Sequence, residues 1–412
     1  MANGLTKDLG IMFDNAVIGF DSSNVISKQV SKYSPSQTDM QRAGDVVYRP
    51  QDYHVNVLSG LDISAGASTD IIQRMVPAVY KQPNNVKFEL DAKEMRDEQH
   101  MKKMGEAAGK RLSAQIDSDI ALVAALRAAN VVKSTTKMSW DTGALAEAIL
   151  LSKGAAVGVG RNLVLNPFDY KDVAGELGGR AYFHGKTQSA YEKSALPDLA
   201  GFSTFRADVM PTLAAIGTVT GTTVSGAQSF TPTAMTGDLP TDNRQTPLVV
   251  AGANIANIKN GDCFTIGSGA TAVNAVHNIT KDDTGQPQTF RVISGGGTAN
   301  LVIYPAIVAT GQYQNVTQAA AGGAAITFLN TVAKSTNVAW CDGAIELMAG
   351  KLAFPTDQGA MVGTTTSEQG IPLIFSAAFN HLTGKTTVRY TAMYATTVLQ
   401  PELCVLILNN QT

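Results

Sequence analysis

Residues 184–187 read His-Gly-Lys-Thr, ending in the glycine, lysine and threonine that close a phosphate-binding loop. Such a loop needs a further glycine five positions before that glycine, so that successive backbone amides can cradle the phosphates. Arg180 stands there instead, and Gly384-Lys385-Thr386 fails in the same way, with Phe379 in the glycine's place. Both segments read as surface turns. Around the first, Arg180, Tyr182, Phe183, Lys186 and Lys193 bring basic and aromatic side chains together as single-strand binders do, and a solvated loop accounts for them equally well. The histidines, His54, His100, His184, His277 and His381, stand singly, with no pair at i, i+4 and no Glu-x-x-His, so metal-assisted hydrolysis has no ligand set. Cys263, Cys341 and Cys404 are far apart and odd in number, matching neither a disulfide framework nor a zinc site. Cys341 beside Asp342 would need a histidine brought up by the fold to become a nucleophile. The plainer reading is a buried thiol acting as a small apolar side chain. Asp282-Asp283-Thr284-Gly285 lacks the alternating oxygens of a calcium loop. No catalytic residue, metal ligand or cofactor motif emerges, and the chain is expected not to be an enzyme.

The elements that would have to position any site fall into two kinds. Eleven charged side chains lie in residues 91–111, yet only ten lie in residues 216–335. The charged stretch has helical spacing: Met101, Met104, Ala108, Leu112, Ile116, Ile120 and Val123 recur at intervals of three and four and make one apolar stripe. A helix over residues 91–130 would span roughly 60 Å at 1.5 Å per residue. Gly105 and Gly109, four apart, open a groove on one face where a neighbouring element can approach closely. The sparse stretch is rich in Gly, Thr and Val and predicts seven short strands, at 218–224, 246–250, 262–266, 272–279, 289–293, 300–304 and 324–329, composing a small barrel or sandwich. Residues 139–215 predict α/β structure, with a helix at 142–153, a buried strand at 162–166 and a second helix opening at PFDYKDVAGEL. Residues 336–412 return to that style and are expected to complete the same sheet, which makes the β block between them an insertion. Before the long helix, residues 1–40 read as short amphipathic turns forming a mobile arm, and 45–64 with NVKFEL as an extended hairpin.

At 412 residues the chain is long enough for two or three domains with their own cores. A formal net charge of -2 steers it toward neither nucleic acid nor an acidic membrane. Charged residues are 16% of the total, against roughly 25% in ordinary soluble domains, as expected where much surface ends against other chains and equally in a β protein rich in Gly, Thr and Ala. No export signal is read at the N-terminus, where Asp14 breaks the one apolar run, and no window offers ~18 uninterrupted apolar residues. A soluble protein made in the cytoplasm, with no membrane partner, is expected.

Several short segments, taken in order, carry a resemblance. They are KYSP and MQR at 32–35 and 40–42, MRDE at 95–98, LNPFDYK at 165–171, AGF at 200–202, TVSGAQSF at 223–230, DNR at 242–244, NVAWCDGAI at 337–345 and QPE at 400–402. Together they resemble the coat proteins of Salmonella phage P22 type over nearly the whole chain. The resemblance implies an α+β, Hong Kong 97-type major capsid fold with an inserted all-β, barrel-like I-domain. It assigns residues 1–40 to an N-terminal arm, 41–90 to an E-loop, 91–138 to a spine helix and P-domain, and 139–215 to the first part of an A-domain. Residues 216–335 become the I-domain and 336–412 the return of the A- and P-domains. The implied function is a major capsid protein that self-assembles, through a scaffold-directed procapsid formed in the host cytoplasm, into pentamers and hexamers of an icosahedral virion shell. Its implied partners are its own copies, a scaffolding protein, a portal protein, and packaged double-stranded DNA enclosed without specific binding. In such proteins an I-domain loop reaches a neighbouring subunit through charged residues, and Asp238, Asp242 and Arg244 occupy that stretch here. Asp14 matches an acidic position at which scaffold docks, with Asn15 and Ile18 where further acids are expected. Two other readings remain: a secreted or surface β-rich protein, which predicts an export signal and paired cysteines, and a cytoplasmic enzyme with a regulatory β domain, which predicts converging titratable groups.

Overall fold

The computed structural model describes residues 4–35, 46–55, 57, 60–62, 64, 71–91, 93–156, 158–179, 196, 198–352 and 361–412. The chain is mixed α+β and divides into two compact units. One comprises Met1–Val47, Ala78–Ala121 and Ile345–Thr397, the other Tyr48–Pro77, Leu122–Ala344 and Val398–Thr412.

The first unit is organised by a close crossing of two helices, α1 (Gly4–Ser23) and the first part of α2 (Glu98–Arg127). Leu9, Met12, Ala16 and Phe20 recur at three and four residues and are all buried, so α1 has the single apolar stripe of an amphipathic helix. Residues 4–23 are therefore one 20-residue helix rather than the short turns read from the sequence. Gly10 and Gly19, poor helix formers, obscure the pattern, and one of them is there for contact. A Cβ on Gly19 would stand 2.6 Å from the Glu106 carbonyl oxygen, one on Gly105 2.2 Å from that of Met12, and one on Gly109 2.0 Å from that of Ala16. The groove between the α2 glycines is filled by α1 of the same chain. Beyond α1, the buried Asp117 carboxylate of α2 accepts the backbone N–H groups of Val25, Ile26 and Ser27 at 2.8, 3.1 and 2.9 Å.

Helix α2 starts later than expected, because a strand and then a 3-10 turn, Glu94–Arg96, precede it. Asn84–Asp91 is a strand, and the Asp97 side chain caps the helix by accepting the N–H groups of Gln99 and His100. At 30 residues α2 spans about 45 Å, and Met101, Ala108, Leu112, Ile116 and Ile120 of the expected stripe are buried. The NVKFEL segment does not pair with the described residues of 45–64. It forms the edge of a four-stranded antiparallel sheet in the order Met361–Thr366, Pro372–Asn380, Lys385–Ala392, Asn84–Asp91. Its alternating Phe88 needs an aromatic layer, and finds it: Phe88 lies 6.0 Å from Tyr390, which lies 5.4 Å from Phe375, which lies 5.5 Å from Phe13 of α1. The strand paired with Val46–Pro50 is instead Met75–Val79, whose Val76 and Ala78 are buried.

The second unit is built around two larger sheets, beside several two-stranded ones. The first has five strands in the order Asn130–Lys133, Cys404–Leu408, Asn337–Cys341, Arg161–Leu165, Ser203–Arg206, with the outer pairs parallel and the inner ones antiparallel. Its three central strands are buried throughout, as apolar runs covered on both faces should be. Helices α3 (Trp140–Ser152) and α4 (Pro167–Gly179) supply Ala146, Leu150 and Val173 to its core. Asn166 caps α4 through its side-chain oxygen, which accepts the N–H groups of Phe168 and Asp169 at 3.0 Å each, and Pro167 takes the first helical position. The strands at 337–341 and 404–408 complete this sheet as expected, whereas those at 385–392 and 394–398 belong to other sheets.

The second sheet draws six strands from the charge-poor block, in the order Ile326–Phe328, Cys263–Ile266, Thr289–Ser294, Asn300–Tyr304, Thr246–Ala253, Thr220–Val224, all antiparallel. Its edges meet: Thr223 bridges Ala325, and the N–H of Val224 donates to the Ala324 carbonyl at 2.9 Å. Inside are Leu248, Val250, Phe264, Phe290, Val292 and Ile303, a core separate from that of the five-stranded sheet. The seventh expected strand pairs elsewhere, Asn274–Val276 with Asp283–Pro287.

Replacing Gly109 with Ala is expected to destabilise the monomer by about 1–3 kcal/mol in urea unfolding, net of the ~1 kcal/mol that Ala gains in a helix, because a backbone carbonyl occupies the Cβ position. Gly10→Ala, with nothing within 4 Å of its Cβ position, is expected to be neutral or slightly stabilising in the same assay.

Candidate inter-subunit contact residues

Asp238 sits at the tip of a hairpin formed by Met235–Thr236 and Leu239–Pro240. Gly237, at φ +62°, supplies the left-handed backbone that a two-residue hairpin turn requires at its first central position. Asp238 is exposed, and the apolar residues beside it are 56% (Met235) and 64% (Leu239) exposed. A carboxylate between two solvent-facing apolar side chains is an arrangement that a second surface can cover.

Asp242 and Arg244 stand at the root of this hairpin and are engaged within the chain. The Arg244 Nε and Nη2 donate to the two Asp242 carboxylate oxygens at 2.8 Å each, and Nη1 donates to the Val398 carbonyl. Its guanidinium lies 5.7 Å from the Tyr304 ring, and the whole residue is buried. Burial pushes the Asp242 carboxyl up, but the paired hydrogen bonds and charge of Arg244 outweigh it and hold the group below the usual carboxylate range. Burial opposes the Arg244 cation, while Tyr304 and Asp242 more than offset it and raise its pKa. Asn243 between them exchanges hydrogen bonds with Thr233, donating to its carbonyl at 2.8 Å and accepting its N–H at 2.9 Å. The DNR motif is thus the fastening of the hairpin, and of its charges only Asp238 faces out.

Asp14 lies on the exposed side of α1, one turn from Ile18, which is 64% exposed. Asp14 belongs to the first unit and the hairpin residues to the second.

Sequence reasoning missed a clasp between residues 51–74 and the β block. The Tyr313 hydroxyl donates to the Ile72 carbonyl at 2.6 Å, the Arg74 guanidinium stacks 4.0 Å from the Tyr313 ring centre, and His54 meets the ring edge-on at 5.7 Å. No spacing rule links positions 241 residues apart. Along the same segment Tyr53, Val55, Val57, Leu61 and Ile71 are exposed, a row of apolar side chains without a core in this chain.

The rejected motifs have plain structural places. Gly384, at φ +65°, makes the turn into Lys385–Ala392, where Thr386 is buried. His184–Thr187, with Arg180, Tyr182, Phe183 and Lys193, lies outside the described residues, as do Met40, Gln41 and Arg42. All three cysteines are buried, and burial pushes the thiols of Cys263 and Cys341 up to about 11. Among the described residues no group of three His, Cys, Asp or Glu is placed to hold a metal, and no helix is long and apolar enough to cross a membrane.

The family model described as P22 coat protein, gene protein 5, matches residues 1–407. Among solved structures the chain is similar to one from Mycobacterium phage Che8, at 11% identity over 93% of this chain and 90% of that one, with a TM-score of 0.45. The capsid structure of cyanophage P-SCSP1u gives 10% identity over 94% and 89%, also at 0.45. The asymmetric unit of the bacteriophage PhiM1 mature capsid gives 8% over 94% and 87%, at 0.44.

Arg244→Ala is expected to destabilise the monomer by about 3–5 kcal/mol in chemical unfolding, since it removes the cation paired with a largely buried carboxylate, which keeps only the N–H of residue 244 and the Gln245 amide, and the Nη1 donor to the Val398 carbonyl. The loss should vanish only in acid, below the usual carboxylate pKa of ~3.9, where Asp242 also protonates. A second expectation concerns His54, whose pKa is lowered by burial first, then by Arg74 and Lys281, with Glu402 and Asp52 opposing. The clasp should be intact above the ordinary histidine value of ~6.5 and weaken as pH falls through the lower folded value. Amide protection factors at residues 71–75, referred to the intrinsic exchange rate at each pH, should therefore fall on acidification more than those elsewhere, and His54→Gln should flatten that difference.

Proposed function

Because the chain belongs to the P22 coat protein family, we propose that it builds its shell on a Hong Kong 97-type fold enlarged by an inserted domain, residues 216–335. It is a phage coat protein, and its copies assemble into a multi-subunit capsid. The reading of an insertion rests on the neck of the β block. Thr212–Leu213 pairs antiparallel with Lys334–Ser335, the Thr336 N–H donates to the Pro211 carbonyl at 2.9 Å, and the chain then re-enters the five-stranded sheet at Asn337. A block whose two ends are tied together and whose edge strands bond to each other needs no strand from its host.

In this reading residues 41–90 are the E-loop, whose exposed Val55, Val57 and Leu61 lie across the next subunit, and α2 stiffens one edge of the tile. The 235–240 hairpin reaches a neighbour through Asp238, with Asp242 and Arg244 holding it at the angle required. Rings of five and six copies make many modest contacts of this kind, which add up over a closed icosahedral shell. A scaffolding protein directs the procapsid by placing basic residues against Asp14 on the outer face of α1. A portal protein occupies one vertex, and the shell encloses double-stranded DNA without specific binding, in keeping with a net charge of -2. Assembly takes place in the host cytoplasm.

Sedimentation velocity and negative-stain imaging of the chain expressed with a scaffolding protein should give uniform shells, and without it irregular or unassembled protein. Asp238→Ala shells should dissociate at lower temperature than the parent although the monomer unfolds as before, and Asp14→Lys should reduce the scaffold that cosediments. A persistent 43.2 kDa monomer in the presence of scaffold would overturn the scaffold-directed route, and heat-stable Asp238→Ala shells would remove the hairpin contact.

A further inference from the structure

The second unit contains a cavity of about 180 Å³ between helix α3 with the Asn130–Lys133 strand on one side and the Asn274–Val276, Asp283–Pro287 hairpin on the other. Its walls carry Leu145, Ile149, Pro287 and Leu329, and its charged lining consists of Lys133 and Lys153, with no carboxylate among the lining residues. Lys133 is already engaged, donating to the Thr412 backbone oxygen at 2.6 Å. Lys153 is different. It is 4% exposed, and among the described residues its ammonium donates to one acceptor, the Gln288 side-chain oxygen. That oxygen is fixed as an acceptor because the Gln288 amide nitrogen donates to the Thr289 carbonyl at 2.8 Å and that of Ala129 at 3.4 Å. Burial holds the Lys153 ammonium down to about 8, with the field of Glu402 opposing, so the side chain is still charged at neutral pH.

A buried cation with three donors and one neutral acceptor is incompletely compensated, and an anion is the species that would complete it. The apolar walls set the rest of the ligand: a cavity of about 150 Å³ lined by aliphatic side chains accepts benzene. We propose that this cavity is a binding site for a small aromatic or branched monocarboxylate, its carboxylate on Lys153 and its hydrocarbon body against Leu145, Ile149 and Pro287. Leu145, one of the lining residues, is 48% exposed. A ligand seated there touches α3 and the hairpin of the β block at once, so it binds the folded unit and raises its resistance to unfolding.

The test uses the purified full-length monomer and three probes, benzoate, benzamide and formate, in calorimetric titration and thermal unfolding. Benzoate is expected to bind at least about tenfold more tightly than its neutral isostere benzamide, and more tightly than formate, and to raise the melting temperature. Lys153→Met should abolish the preference for benzoate over benzamide. Leu145→Trp, which enlarges a half-exposed side chain of the lining and leaves the buried amine in place, should block benzoate while the protein still unfolds cooperatively, and it serves if Lys153→Met does not fold. Equal binding of benzoate and benzamide, formate binding as tightly as benzoate, or benzoate binding undiminished in Leu145→Trp would overturn the proposal.

Discussion

The carboxylate of Asp169 fixes the frame on which the second unit depends. It accepts the side-chain amides of Asn166 and Asn337 at 2.6 Å each and of Asn409 at 3.1 Å, and it is buried. Each of these asparagines sits at one end of a strand, just after Arg161–Leu165, at the start of Asn337–Cys341, and just after Cys404–Leu408. One carboxylate thereby ties together the ends of three strands drawn from segments distant in the chain. Hydrogen bonds to a buried charge are stronger than neutral ones, and losing the acceptor would strand three amides in the interior. Asp169 lies in the first turn of α4, where the helix dipole favours a negative charge. LNPFDYK and NVAWCDGAI are thus two halves of one fastening.

What this frame holds is attached by polar contacts rather than by a shared apolar core. The Thr289 hydroxyl of the β block donates to the Ala129 carbonyl at 2.7 Å and accepts the Val131 N–H at 3.0 Å, and Gln288 reaches Ala129 and Lys153. Asn330 donates to the Asp262 carboxylate at 2.7 Å and to the Ala214 carbonyl at 3.0 Å, tying the block to its own neck. Such a junction is directional: it fixes an orientation through a few hydrogen bonds, where two apolar faces would tolerate sliding. The cost is that charges such as Lys153 and Arg291 are carried into the interior, which is the circumstance that makes a ligand site at this junction physically reasonable.

The first unit solves the opposite problem, bringing two helices close enough that backbone meets backbone. Three glycines remove the Cβ atoms that would otherwise strike carbonyl oxygens, and the aromatic layer of Phe13, Phe375, Tyr390 and Phe88 seals the sheet beneath. With both units closed in this way, the large apolar side chains still exposed stand out. Among them are five between residues 53 and 71, the hairpin pair Met235 and Leu239, and Phe379 and Leu382. Scattered exposed apolar residues are ordinary, but rows of them on loops and hairpin tips mark surfaces that other chains cover. A coat protein needs such surfaces on its projections, because a closed shell is held by contacts between copies.

Local chemistry was legible in the sequence wherever a short-range rule applies. The stripe from Met101 to Ile120 gave the long helix, the Gly105 and Gly109 spacing gave the groove, and alternating apolar residues with glycine turns gave six strands of the β block near their observed bounds. The pairing of those strands was not legible. Asn84–Asp91 could have joined the strand nearest in sequence, but it pairs with Lys385–Ala392 because Tyr390 and Phe375 offer Phe88 an aromatic layer. Arg244 shows the same division within one residue. Its bond to Asp242, two positions away, follows from the sequence, whereas its burial against the Val398 carbonyl and Tyr304 turned an expected contact residue into an internal fastening. Spacing along the chain determines which residues share a face of one element. Which faces meet is set by the free energy of burying them together, and that became definite only when segments hundreds of residues apart closed on the same core.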